Sequence, residues 1–147
     1  MAYKSSPFIK DGEFTTTIYT MIKESRFADA IRVLRYELHR NPDSRAGLSL
    51  LGFCYYGVQE FVLAAECYER LAELFPENTE YRLNHAQSLY NAFMFPEAVN
   101  TLAQINDQKM EKHVVKLEAA IKYREEDYQN AHILVDQFSP DDPDGIC

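Results

Sequence analysis

Tryptophan is absent from these 147 residues, and glycine, proline and cysteine occur only five, six and three times. Glycines this few and this scattered form neither a GxGxxG nor a Walker-type phosphate cradle, so nucleotide binding of those kinds is excluded. The three cysteines, Cys54, Cys67 and Cys147, make no CxxC pair and leave an odd thiol, which excludes a disulfide framework and reads as free thiols. Positive charge is also scarce: 15 Lys plus Arg stand against 23 Asp plus Glu, a net charge of −8. That balance argues against nucleic acid or an anionic membrane surface as partner and leaves protein. No run approaches the roughly 18 apolar residues of a membrane span. The opening MAYKSSPFIKDGEF lacks the apolar core of a secretory signal, so a cytosolic chain is expected.

What is present is an ordinary apolar content of 46%, with aromatics at 13%, sufficient for one domain with its own core. The histidines His39, His85, His113 and His132 are isolated, with no i, i+4 pair to hold a metal, and read as core or surface side chains. The DDPDG near the end lacks the ligand spacing of an EF-hand loop and reads as a turn. No catalytic residue, cofactor or metal site is expected.

The chain repeats itself. RFADAIRVL, EFVLAAECY, MFPEAVNTL and DYQNAHILV each carry an aromatic, two intervening positions, then alanine: Phe27/Ala30, Phe61/Ala64, Phe95/Ala98 and Tyr128/Ala131. These alanines recur at intervals of about 34 residues, and Pro42 and Pro76 keep the same offset; in a helical pattern that period is the tetratricopeptide signature. Leu48, Leu51, Gly52, Tyr55, Ala64, Tyr68 and Pro76 match it together in type and spacing, with Leu48 in place of tryptophan.

The fold class expected is therefore all-α, a right-handed tetratricopeptide superhelix of about four helix pairs. Each pair cannot bury its apolar face alone and must stack on its neighbours. Small residues are needed where helices approach closely, which assigns Ala30, Ala64, Ala98, Ala131 and Gly52, with Ala86 and Ala119 as the glycine's counterparts. The aromatic before each alanine is expected to face the adjacent unit.

The spacing predicts helices over 11–24, 27–40, 45–57, 61–74, 79–91, 95–105, 110–123 and 128–138. The organisation is a flexible N-terminus over 1–10, repeats over 11–44, 45–78, 79–111 and 112–139, and over 140–147 the start of a truncated further repeat. The tail SPDDPDGIC contains no polar capping helix, so the chain is read as part of a longer array. Thr17 and Ile18 stand at the leucine and glycine positions of the first unit, and His85 and Glu118 at the leucine positions of the third and fourth.

LSLLGFCYYGVQEF, from Leu48 to Phe61, sets a cysteine among aromatics. No histidine lies nearby in sequence to act as a base, so Cys54 and Cys67 read as small buried hydrophobes. In stacked units the first helices line a concave face, with their ninth and twelfth positions turned into it. The ninth are Tyr19, Phe53, Gln87 and Ala120, and the twelfth Ile22, Tyr56, Tyr90 and Tyr123. The candidate groove is Tyr19, Ile22, Phe53, Tyr56, Gln87, Tyr90 and Tyr123, an aromatic stripe suited to an extended, apolar or proline-rich peptide. The alternative is that later repeats pack on that face. A cochaperone-type clamp for an acidic peptide terminus is the other function considered, with Lys116 and Arg82 its few basic candidates.

DGEFT at Asp11, SRAGLSLLGFCYY at Ser44, EFVLAAECYERL at Glu60 and YRLNHAQSLYNAFMFPEA at Tyr81 closely resemble the N-terminal region of the tetratricopeptide-repeat subunit of the intraflagellar transport B complex, the tetratricopeptide repeat protein thirty family. The resemblance implies a non-enzymatic scaffold in the trains that carry cargo along ciliary microtubules. It implies a superhelix wrapped around the proline-rich extended segment of a core subunit, the one called fifty-two, and with it kinesin-linked transport. It also implies residence in the cilium, at axoneme and basal body, and in the cytoplasm, with a link to tubulin polyglutamylation that is not catalytic.

Overall fold

The computed structural model describes residues 14–138, with side chains as far as Asn130. The expectations for 1–13 and 139–147, the flexible N-terminus, the truncated further repeat and Cys147 among them, lie outside the described residues, as do those for the side chains of Ala131 and His132. Among the described residues seven α-helices follow one another with no strand: α1 Phe14–Lys23, α2 Phe27–Arg40, α3 Arg45–Gly57, α4 Phe61–Leu74, α5 Thr79–Asn91, α6 Phe95–Ala103 and α7 Glu111–Phe138. A 3₁₀ turn, Gln108–Met110, precedes α7.

The boundaries have local causes. Ser44 and Asn78, at the same place in successive units, start α3 and α5 by accepting from the amides of Gly47 and Glu80, which satisfies donors left open in the first turn. Pro96 sits in the first turn of α6, where a missing N–H costs nothing. Within the first three helix pairs the two helices meet at a left-handed residue, Ser25, Gln59 or Phe93, with φ of 61°, 66° and 62°. The amide of the next residue then reaches back five positions: Arg26 to Met21, Glu60 to Tyr55, Met94 to Leu89, at 2.7–2.9 Å. This Schellman turn recurs once per pair and reverses the chain without a glycine.

The fourth unit departs from that pattern. The helices expected over 110–123 and 128–138 run together as the 28-residue α7. Arg124, Glu125, Glu126 and Asp127 include neither glycine nor proline, and Arg and Glu are good helix formers, so nothing local imposes a stop. Glu126 and Asp127, which correspond to Phe93 of the unit before, remain helical.

Consecutive helices pack on one another, and each first helix also touches the first helix of a neighbouring unit, α1 on α3 and α5 on α7. Two core clusters result. The first joins Ile18, Ala30, Val33, Leu34, Leu51, Cys54, Tyr55 and Ala64, and the second Ala65, Ala86, Leu89, Phe95, Ala98, Leu102, Leu117 and Ile121. Ala30, Ala64 and Ala98 are fully buried. Phe27 lies against Gly57 of the next unit, as the aromatic positions were expected to. One counterpart is corrected: Ala119 is exposed, and Ala120 packs on the second cluster instead. The fourth unit keeps the full repeat offset there, because the buried Leu117 and Ile121 fix the face that α7 turns inward.

Candidate functional site

Because α1, α3 and α5 open successive helix pairs in the same register, their ninth positions Tyr19, Phe53 and Gln87 are equivalent, as are Ile22, Tyr56 and Tyr90. The two sets behave differently. Tyr19 and Phe53 are 59% and 54% exposed, large rings open to solvent. Ile22 and Tyr56 pack on the first core cluster and Tyr90 on the second. The Tyr56 ring meets Phe61 edge-on at 5.1 Å between centroids, and its hydroxyl accepts from Asn91 Nδ2 at 2.6 Å. One unit later the same pair recurs as Tyr90 and Phe95, at 6.2 Å. Ile22, Tyr56 and Tyr90 therefore join helices and units to each other and are only partly exposed.

Between α5 and α7 the groove deepens into a cavity of about 300 Å³, lined by Leu83, Gln87, Tyr90, His113, Lys116 and Ala120. The structure thus brings together Gln87 and Tyr90 from the stripe, and adds Ala120 and Lys116 beside them. Arg82 is not among the lining residues, because its guanidinium donates to Gln104 Oε1 beyond α6. Of the two basic candidates for an acidic clamp, one reaches this cavity. Tyr123 lies one turn beyond Ala120 on α7 and is 74% exposed. Arg124 stacks over Tyr90 and Phe93, its Cζ 5.0 and 5.4 Å from their centroids.

Leu83, His113 and Arg124 were missed as groove residues. The signal was available for His113, which shares a helix face with Lys116 and Ala120 at i, i+3 and i+7. For Arg124 it lay in the register: at the full repeat offset that Ala120 keeps, Arg124 and not Tyr123 stands at the place of Tyr90.

The thiols lie elsewhere. Cys54 is fully buried and Cys67 nearly so, and burial pushes them up to about 11 and about 12, away from the thiolate a nucleophile needs. Burial likewise raises Tyr68 to about 12. Among the described residues no group of three His, Cys, Asp or Glu side chains converges to hold a metal ion, and no helix is long and apolar enough to cross a membrane. What the site offers is aromatic surface and a cavity lined by an amide, an amine and an imidazole among apolar side chains.

No family model matches the sequence. The chain is 53% identical over 134 residues, 91% of its length, to a protein of Caenorhabditis briggsae named Tetratricopeptide repeat protein 30 homolog. It is 52% identical over 136 residues, 92% of its length, to Intraflagellar transport protein 70A of Danio rerio, and 45% identical over 156 aligned residues, 99% of its length, to Intraflagellar transport protein 70A1 of Mus musculus. The chain spans 20% to 24% of the length of these relatives. Among solved structures it resembles the tetratricopeptide-like helical repeat protein MamA, with TM-scores of 0.71 and 0.69 for two forms at 19% and 20% identity. Each likeness covers 87% of this chain and about three quarters of the other, and it shows the fold alone.

Proposed function

We propose, from a chain half identical to proteins named for intraflagellar transport, that these stacked helix pairs are a non-catalytic protein-binding scaffold within that transport machinery. The tetratricopeptide-like fold supports a scaffold. The single observation that carries the binding mode is the exposure of Tyr19 and Phe53 at equivalent places on α1 and α3. Rings held on rigid helices take up a flat, extended partner with little further loss of side-chain freedom.

The partner proposed is the proline-rich extended segment of the core subunit called fifty-two. The phrases from Asp11 to Ala98 support that choice through their resemblance to the transport subunit. A polyproline helix suits the groove because it enters already extended. Kinesin-linked movement, residence at axoneme and basal body, and the link to tubulin polyglutamylation belong to the same reading, as consequences of assembly and delivery. Tubulin modification would then fall with transport, with no chemistry performed by this chain.

The test is fluorescence anisotropy of that labelled proline-rich segment against the chain and its Tyr19→Ala/Phe53→Ala variant. These two rings are exposed, so their loss leaves the core intact. Affinity is expected to fall about tenfold, since each aromatic contact contributes about 0.5–1.5 kcal/mol. Equal binding by the variant, or none by the wild-type chain, would remove the groove assignment.

A further inference from the structure

The second helices carry their own row of grooves, on a side of the array away from the ninth positions. One lies between α2 and α4 and a second, of about 340 Å³, between α4 and α6 above α5. They are the same groove one unit apart, so each lining position can be compared with its counterpart in the next repeat. Leu51 becomes His85, Tyr55 becomes Leu89, Leu63 becomes Glu97, Cys67 becomes Thr101 and Arg35 becomes Glu69, while Glu66, which lines both grooves, has the neutral Asn100 as its counterpart. A groove that sets Arg35 against the single carboxylate Glu66 has turned into one with three carboxylates, Glu66, Glu69 and Glu97.

The second groove keeps an apolar floor of Val62, Ala65, Leu89 and Met94. Over it stand Glu66 and Glu69, one turn apart on α4, and Glu97 across the gap on α6. All three carboxylates are exposed, and among the described residues none of them forms an ion pair. No Lys or Arg lines the groove. The carboxylates do not converge with His85 into a metal site. Their spacing across an apolar trough fits a long side chain with a broad cationic head.

We propose that the groove between α4 and α6 is a docking site for an arginine presented by a protein partner, with an apolar neighbour beside it. The methylene stem would lie on Leu89 and Met94, and the planar guanidinium, weakly hydrated and forked, would donate to carboxylates on both walls. An ammonium would lose more hydration and engage one wall at a time. The partner is independent of the chain in the concave groove, so a scaffold of this design holds two segments at once on separate surfaces.

The test is a methyl and amide NMR titration of the full chain with a blocked Leu-Arg dipeptide, beside the same dipeptide carrying neutral citrulline. The arginine form is expected to produce saturable shifts confined to Val62, Leu89 and Met94, with citrulline at least tenfold weaker. Glu69→Gln/Glu97→Gln should abolish the saturable shifts while leaving a native-like spectrum. Equal binding of both dipeptides, unchanged binding by the variant, or unsaturated shifts spread over the acidic surface would each overturn the site. Since neither substitution touches Tyr19 or Phe53, failure here is separate from failure of the concave groove.

Discussion

Gly52 of α3 lies directly under the Tyr68 ring of α4: a methyl on its Cα would stand 3.0 Å from Cζ and 3.2 Å from Cε2. One unit later the corresponding pair is Ala86 and Leu102, both buried in the second core cluster. The array has exchanged glycine with a ring for alanine with a branched chain, keeping the helices close in both units.

Gly52→Ala alone is therefore expected to destabilise. Overpacking costs about 1–3 kcal/mol, and the better helix propensity of alanine returns about 1. Gly52→Ala with Tyr68→Leu rebuilds the Ala86/Leu102 pair and should be more stable than the sum of the single changes. Urea unfolding of the four chains of this cycle measures the coupling, and strict additivity would disprove the volume exchange.

The left-handed turn residues give a second expectation. Gln59 holds φ at 66° without the freedom of glycine, at a cost of about 1–2 kcal/mol. Gln59→Gly relieves that strain and forfeits about 0.4–1 kcal/mol through the looser unfolded chain. The net effect should be a stabilisation of roughly 0.5 kcal/mol, read as a rise in Tm of about 2 °C. Gln59→Val should lower Tm, since a branched Cβ is least tolerant of this backbone.

Much of this architecture was legible because it is periodic. Four helices, from Phe27–Arg40 to Thr79–Asn91, fall at the boundaries their spacing predicts, and α6 ends two residues early at Ala103. The period failed where it had to be read as a stop. Tyr128 keeps the aromatic place, yet the residues before it are helix formers, so α7 runs on. Sequence also set Tyr56 and Tyr90 at equivalent points of the repeat without showing that their rings pack against Phe61 and Phe95. Exposure of Phe53 and engagement of Tyr56, three residues apart, depend on what α4 brings alongside. The acidic groove was invisible for the same reason: Glu69 and Glu97 are remote in sequence, and only the packing of both α4 and α6 on α5 makes them opposite walls.

The buried thiols should be nearly inert in the native chain. A thiol at about 11, as for Cys54, is thiolate at roughly one part in a thousand at pH 8. In a Cys147→Ser background an aromatic disulfide reagent should label less than a tenth of Cys54 and Cys67 in the time that labels both fully in urea. Rapid native labelling of either would mean that the α3/α4 interface opens far more readily than its burial implies.

His85 sets the pH response of the α4/α5 junction. Burial lowers its pKa below the ordinary 6.5, against the opposing pull of Glu69 and Glu73, with Arg82 reinforcing the decrease. The unfolded chain therefore takes up a proton on this residue before the folded chain does. Its stabilising share is complete above about pH 6.5 and is lost as the pH falls through the folded value. Wild type should lose more stability between pH 7.5 and 5.5 than His85→Gln, where other titrations are common to both. His85→Leu, which restores the residue found at Leu51, should flatten the same slope and add roughly 1 kcal/mol at pH 7 by exchanging a half-buried imidazole for an aliphatic chain. Urea midpoints at the two pH values check both statements. A wild-type slope equal to that of His85→Gln would mean that His85 protonates as easily in the folded chain as in the unfolded one, and that the groove wall beside it is open to water.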